Sequence, residues 1–268
     1  MSNHKEEVRQ FIRERYAGVA KGAQPSCCGG GCGCGVQETS AMLGYDEGDL
    51  SGAPSASNMG LGCGNPIAIA ALKEGETVLD LGSGGGFDCF LARKQVGETG
   101  RVIGVDMTPD MVALARKNAA EMGYTNVEFR LGEIEHLPVA DGCVDAIISN
   151  CVINLSMDKA QVFREMFRAL KPGGRISVSD VVATAEIPRD LRDDFGMIAS
   201  CIGGAEYVGR LEAMLRGAGF GNIQMRPKDN SAQIVNAWLP GGGLDGYVAS
   251  YIIEAVKKPA CCCAGGCC

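Results

Sequence analysis

Thr77-Val78-Leu79-Asp80-Leu81-Gly82-Ser83-Gly84-Gly85-Gly86-Phe87-Asp88 is the stretch that decides how this chain folds. Val78 to Leu81 reads as a short buried strand, apolar except for Asp80. It runs into glycines at 82, 84, 85 and 86, and an apolar helical pattern resumes at Phe87. Strand, glycine turn and helix start form the geometry in which a ligand lies against bare backbone at a helix N-terminus.

The spacing narrows the ligand. A dinucleotide-binding turn reads G-x-G-x-x-G/A, and its last small residue allows close helix–strand packing. Here that position holds Phe87, and the glycines fall instead at 82, 84 and 86, with Asp80 two places before the first. This D-x-G-x-G-x-G pattern resembles the first motif of class I S-adenosylmethionine-dependent methyltransferases, where the acid and the loop face the methionine end of the cofactor. Arg101 to Asp106 follows as a second strand ending in an acid, which is placed to take both ribose hydroxyls. Next come a strand over Asn126 to Gly132, a strand over Val144 to Asn150 and a helix over Lys159 to Leu170. Lys171-Pro172-Gly173-Gly174 then leads into the strand Arg175 to Val182, and this turn is a further mark of the same class. The resemblance implies an α/β fold with a Rossmann-like methyltransferase sheet and helices on both faces. It also implies S-adenosyl-L-methionine as cofactor, contacted by Asp80, Gly82, Ser83, Gly84, Gly86, Asp106, Met107, Glu133 and Asn150.

The totals agree with a single α/β domain with attachments, large enough at 268 residues to bury a sizeable core. A net charge of −7 and a pI near 5 argue against a nucleic-acid partner, which requires a basic face. No apolar run approaches the roughly 18 residues that cross a bilayer. Met-Ser-Asn-His-Lys-Glu-Glu carries charge and no apolar signal region, so a cytoplasmic protein without a membrane partner is expected.

Four segments follow from the pattern. Residues 1–60 hold an amphipathic helix over Lys5 to Val19, a cysteine- and glycine-rich run, a short helix over Thr39 to Leu43 and a loop over Gly48 to Met59. Residues 61–183 form the cofactor-binding core, including helices over Phe87 to Lys94 and Pro109 to Gly123. Thr108 is expected as N-cap of the latter, with Pro109 at its first turn. Residues 184–258 form a substrate-facing region and complete the sheet. A helix over Tyr207 to Gly217 precedes an antiparallel hairpin of Asn222 to Arg226 and Tyr247 to Val256. Residues 259–268 form a cysteine-rich tail.

Fourteen cysteines are the anomaly. In a cytosolic chain they read as metal-binding or catalytic before they read as a disulfide framework. Nine lie in two clusters, four from Cys27 to Cys34 and five from Cys261 to Cys268. Clustered thiols suit a soft ion such as zinc, copper(I) or trivalent arsenic, or else form dispensable tails. Among the other five, Cys89 sits on an apolar helix face and Cys143 opens a strand, and both are expected in the core. Cys63 lies in a turn between Gly62 and Gly64, with no large sequence neighbours to bury it. Cys151 follows the carboxyl end of a parallel strand, the edge where ligands bind in open α/β sheets. Cys201 precedes a Gly203-Gly204 break. His136 is expected to be structural.

Three motifs together resemble the arsenite methyltransferases: Gly62-Cys63-Gly64, Ser149-Asn150-Cys151-Val152-Ile153-Asn154-Leu155 and Cys201-Ile202-Gly203-Gly204-Ala205. The likeness runs from about Met42 through Val256. It implies that Cys63, Cys151 and Cys201 are the catalytic arsenic ligands, the metal(loid) site of the protein. It implies further that the arsenic lone pair attacks the methyl group without a general base. A thiol reductant, thioredoxin or glutathione, is the implied co-substrate, and the chain is expected to act as a monomer. Arsenite affinity is expected to fall at low pH, as for thiolate–metal sites. Two rivals share parts of the pattern. Quinone or sterol C-methyltransferases have the same core but no use for the three cysteines together. A soft-metal storage or sensing protein has no use for Asp80, the glycine turn and Asp106.

Overall fold

The computed structural model describes residues 2–23, 35–238 and 243–259, so both cysteine clusters lie outside the described residues. Thr77–Leu81 (β1), Arg101–Asp106 (β2), Val127–Leu131 (β3), Val144–Asn150 (β4), Leu170–Ala183 (β5), Glu206–Tyr207 (β6), Phe220–Pro227 (β7) and Val248–Lys257 (β8) form one sheet. Its order is β3-β2-β1-β4-β5-β8-β7, with β6 beside β5. Pairing is parallel from β3 through β5 and antiparallel at β5–β8 and β7–β8.

Both faces of the sheet are covered, as continuous apolar strands require. Val78, Val102 and Ile148 pack with Phe90, Leu91 and Val112, from helices Phe87–Val96 and Pro109–Glu121. Leu79, Ile103 and Ile147 pack on the other face with Phe163, Met166, Leu211 and Leu215, from helices Lys159–Ala169 and Val208–Ala218. Val78 and Leu79 thus divide the two layers by simple strand alternation. The N-terminal helix Ser2–Ala20 packs Val8 and Ile12 against Ile198 and Ala199 of a short helix, Phe195–Ala199. It also touches the Pro109–Glu121 helix.

Register places the turns that matter at one edge. Leu81 pairs with Val105 on one side and Ser149 on the other, and Ser149 pairs with Val178. The chain therefore leaves β1, β2 and β4 at a common level, beside the later part of β5.

Several expectations need correction. Residues 48–59 are not all loop. Asp46 caps a helix over Glu47–Ser51, accepting the Asp49 N–H at 2.7 Å, and a 3-10 turn follows at Ser55–Ser57. A helix over Ser231–Trp238 separates β7 from β8, burying Ile234 and Val235. Thr108 stands at the N-cap position without a side-chain cap bond; its N–H goes to Asp106 Oδ1 at 2.8 Å. Cys143 precedes β4 and is only half-buried, whereas Cys89 is fully buried.

Arg175 ties the front of the sheet together. It donates to the carbonyls of Ala70 (2.6 Å) and Ala71 (2.7 Å) and to both carboxylate oxygens of Glu76 (2.8 Å each). Burial pushes the Glu76 carboxyl up, but the Arg175 guanidinium and the Lys73 N–H hold it below its ordinary value. A depressed carboxyl contributes stability that is present above its unfolded pKa and lost as pH falls through the folded one. Arg175→Met is expected to cost about 1.5–3 kcal/mol at neutral pH, the scale of a charged hydrogen-bond set. Urea unfolding checks this, and the deficit should shrink as pH falls below the ordinary glutamate range of about 4.3 and through the lowered value that Glu76 has in the parent.

Candidate active site

The glycine turn after β1 forms one end of a large cavity. Gly82 and Ser83 both donate their N–H groups to Val105 O, at 2.8 and 3.0 Å, which folds the chain over the end of β2. Gly82 has φ +69°, and a Cβ there would lie 2.5 Å from Val152. Gly84 has φ +50° and nothing within 4 Å of a Cβ position. It therefore presents bare backbone to the cavity. Its N–H is held by Asp106 Oδ2 at 3.0 Å. Burial raises the Asp106 carboxyl, while the Thr108 and Gly84 N–H groups draw it back.

Asp80, Gly82, Ser83, Gly84, Asp106, Met107 and Asn150 all line this cavity. Gly86 opens the Phe87–Val96 helix behind it and is not a lining residue. Glu133 is not one either: it pairs with Arg13 (2.7 Å) and Arg9 (3.5 Å) of the N-terminal helix. Its neighbours Ile134 and Glu135 face the cavity instead. Asp88 also lines it, and burial lifts that carboxyl to about 6 against hydrogen bonds from Tyr45 and Asn150. Burial and the nearby Asp88 charge lift Asp80, to which Cys89 donates its thiol at 3.2 Å.

These features fit S-adenosylmethionine. The buried carboxylates of Asp80 and Asp88 and the half-buried one of Asp106 suit a ligand with an ammonium, a sulfonium and ribose hydroxyls. Ser83 Oγ is buried without a hydrogen-bond partner among the described residues, a group that a bound polar ligand would satisfy.

The same cavity holds thiols. Cys151 and Cys201 line it, and Cys63 lies behind. The Sγ atoms of Cys63 and Cys151 and a carboxylate oxygen of Asp180 lie within 4.8 Å of one another. Cys201 donates its thiol to Cys151 O at 2.7 Å. Three distant motifs therefore converge, with Cys201 outside the 4.8 Å group of Cys63, Cys151 and Asp180, and all five described cysteines are thiols rather than disulfides. Cys63 is 0% exposed, contrary to the reading of a bare turn. The turn folds inward: Cys63 N donates to Asn150 Oδ1 at 3.0 Å, and Ser250 Oγ donates to Cys63 O at 2.7 Å.

Two of these cysteines carry an uncommon backbone. Cys151 has φ +54° and Cys201 φ +64°, a left-handed conformation costing a non-glycine residue roughly 1–2 kcal/mol. Such strain persists only where the surroundings over-determine it. Burial pushes the Cys151 thiol well up, and neighbouring Cys201 and Cys63 push the same way.

Asp180, absent from the sequence reading, is 2% exposed and accepts N–H bonds from Ile153 (3.0 Å), Val181 (2.7 Å) and the Asn154 amide (2.9 Å). Burial lifts it to about 6, against those bonds and the Lys159 charge. Its signal was available as an acid inside the otherwise uncharged run Ile176 to Ala183. Lys228 was missed too. Burial lowers its ammonium pKa, and its electrostatic interaction with Cys63 and Cys151 raises it again.

Residues 72–219 match the family model described as a methyltransferase domain. The chain is 50% identical over 266 residues to an arsenite methyltransferase of Halobacterium salinarum, covering 95% of this chain and 68% of that one. The chain belongs to the arsenite methyltransferase family. An arsenite methyltransferase of Aquipseudomonas alcaligenes is 45% identical over 219 residues, 78% of this chain and 62% of that one. The methyltransferase thus spans about two thirds of the length of these relatives. Among solved structures it resembles CrArsM, an arsenic(III) S-adenosylmethionine methyltransferase of Chlamydomonas reinhardtii. The TM-score is 0.61 at 33% identity, over 83% of this chain and 73% of that one. The fold is that of the class I S-adenosylmethionine-dependent enzymes.

Gly84→Ala separates cofactor binding from folding in this methyltransferase. The added methyl has open space, and the left-handed φ costs only about 1–2 kcal/mol. Calorimetric titration should find S-adenosylmethionine binding at least about tenfold weaker, a loss of about 1.4 kcal/mol. Circular dichroism should still show a cooperative thermal transition.

Proposed function

We propose that the chain methylates trivalent arsenic with S-adenosylmethionine, holding the arsenic on Cys63, Cys151 and Cys201. The observation that carries this is the gathering of thiols from three separate motifs at a cavity that the glycine turn also lines, two of them, Cys151 and Cys201, in its wall. Trivalent arsenic is soft and prefers sulfur to oxygen ligands, as soft metals do.

Capture balances without a base. Arsenous acid brings three hydroxyls, each leaving as water with the proton of one incoming thiol, so three As–S bonds replace three As–O bonds. Burial raises the Cys151 thiol, which is therefore neutral near pH 7, and exchange at a neutral thiol takes up or releases no proton. Arsenite affinity is therefore expected to stay level from about pH 6 to 8, below the usual thiol pKa, instead of falling at low pH. Calorimetric titration of arsenite across that range checks it, and a steep fall on acidification would show that thiolates, not thiols, are the resting form.

The arsenic lone pair is the nucleophile in the methylation. S-adenosylmethionine supplies, when bound, a methyl group activated on a sulfonium. The protein's task is alignment, which can contribute roughly 7–11 kcal/mol of a barrier. Asp80, Asp88 and Asp106 bind and orient the cationic and hydroxyl groups of the cofactor, while the thiols fix the arsenic. Methylation raises arsenic formally from trivalent to pentavalent, so a dithiol such as thioredoxin, or two glutathione molecules, supplies two electrons to restore the trivalent state. A site that works through reduced thiols suits a reducing compartment such as the cytoplasm, and the proposed role there is arsenic detoxification by a monomer. No helix among the described residues is long and apolar enough to cross a membrane.

Methyl transfer from labelled S-adenosylmethionine, with and without arsenite in excess thiol, is the primary test. Methylated arsenic is expected only with arsenite present; labelled quinone in its place would favour the C-methyltransferase alternative. Cys151→Ser should lower arsenic methylation at least about a thousandfold (about 4 kcal/mol) with cofactor affinity unchanged, and a loss of cofactor binding would make Cys151 structural.

A further inference from the structure

Cys151 and Cys201 lie fifty residues apart on segments that share no strand pairing, and each has a left-handed backbone that its own sequence does not favour. Something must hold the two segments in register. The Cys151 side is a turn from the end of β4 into a 3-10 turn at Ile153–Leu155. The Cys201 side is the loop after the Phe195–Ala199 helix.

The groups joining them form one buried knot. The Asp180 carboxylate takes the Ile153 N–H through Oδ2 at 3.0 Å, pinning the turn just past Cys151. Its Oδ1 takes the Asn154 amide at 2.9 Å and the Val181 N–H at 2.7 Å. The same Asn154 Nδ2 lies 2.5 Å from Val181 O and 3.3 Å from Cys201 O, its two hydrogens shared among the three acceptors. Gly204 closes the far side, where a Cβ would sit 2.1 Å from Asn154 O. The loop bearing Cys201 thus lies directly against the Asn154 backbone. Asp180 and Asn154 are each 2% exposed, so water does not compete for these bonds.

We propose that Asp180 and Asn154 are the positioning pair of the arsenic site, acting through the backbone of the segments that carry Cys151 and Cys201. They hold Cys151 and Cys201 at the spacing at which one trivalent arsenic bridges both. Asp180 fixes the Cys151 turn, and Asn154 carries that constraint to the Cys201 carbonyl. The thiol of Cys201, donating to Cys151 O, is then turned toward its partner before any ligand arrives. Preorganisation of this kind raises affinity by removing the cost of ordering the ligands during capture.

The proposal rests on the reading of these thiols as the arsenic site, and its test keeps the two apart. Phenylarsine oxide, whose arsenic bonds two thiols, reports Cys151–Cys201 spacing whether or not arsenite is the substrate. The full chain, Asp180→Asn and Asn154→Ala are titrated with it, and the modified cysteines are located by peptide mass spectrometry. Cofactor affinity and thermal melting are measured alongside. The parent protein is expected to take one arsenical across Cys151 and Cys201. Both variants should lose at least about tenfold in affinity for it (about 1.4 kcal/mol) with cofactor affinity within about twofold. With arsenite, X-ray absorption should show three As–S bonds in the parent and fewer in the variants. Unchanged capture in either folded variant overturns the proposal, as does loss of the melting transition in both, which would make the pair a fold determinant. Capture of phenylarsine oxide by the parent without arsenite turnover would sink the functional reading and leave the positioning role standing.

Discussion

Parallel pairing in level register is the constraint on which the site depends. Leu81, Val105, Ser149 and Val178 stand side by side, so the chain leaves β1, β2 and β4 at one edge of the sheet. Beyond that edge the ladder offers no partners, and each departing segment must satisfy its backbone another way. The segment after β1 gives its N–H groups to Val105 O. The segment after β2 uses Asp106, and that after β4 uses Asp180 and Ser179 O. The acids at this edge complete the backbone and set the polarity of the cavity at once.

One wall of the cavity rests largely on Asn150. Its amide donates to Gly64 O (2.8 Å) and Tyr45 OH (3.0 Å), and its carbonyl accepts the Cys63 N–H. Tyr45 passes on to Asp88 at 2.6 Å. A Cβ on Gly62 would come within 2.6 Å of the same amide. One side chain thus lines the cavity and holds the turn of the innermost thiol.

Much of this was legible in the sequence because it is local. The strands β1, β2 and β4 follow from short apolar runs, and the glycine turn follows from spacing. The convergence of Cys63, Cys151 and Cys201 was legible only through family resemblance, since no local pattern relates residues so far apart. Asp180 escaped because an acid in a strand reads as a surface position until the fold buries it. Cys63 misled for the converse reason: flanking glycines describe its neighbours in sequence, while Asn150 and Ser250, remote in the chain, cover it. The helix Ser231–Trp238 was hidden by its shortness, its burial decided by Ile234 and Val235 meeting β8.

The helix Ser2–Ala20 contributes Arg9, Ile12, Arg15, Tyr16 and Val19 to the cavity wall, yet everything it packs on comes later in the chain. Tyr16 reaches Ala199 O, 183 residues downstream. During synthesis this roof leaves the ribosome before the elements it packs on, and its apolar stripe waits uncovered until the Phe195–Ala199 segment has emerged. At roughly 5–20 residues per second, that is a delay of some ten to forty seconds. This wall of the cavity thus depends on chain made long after it.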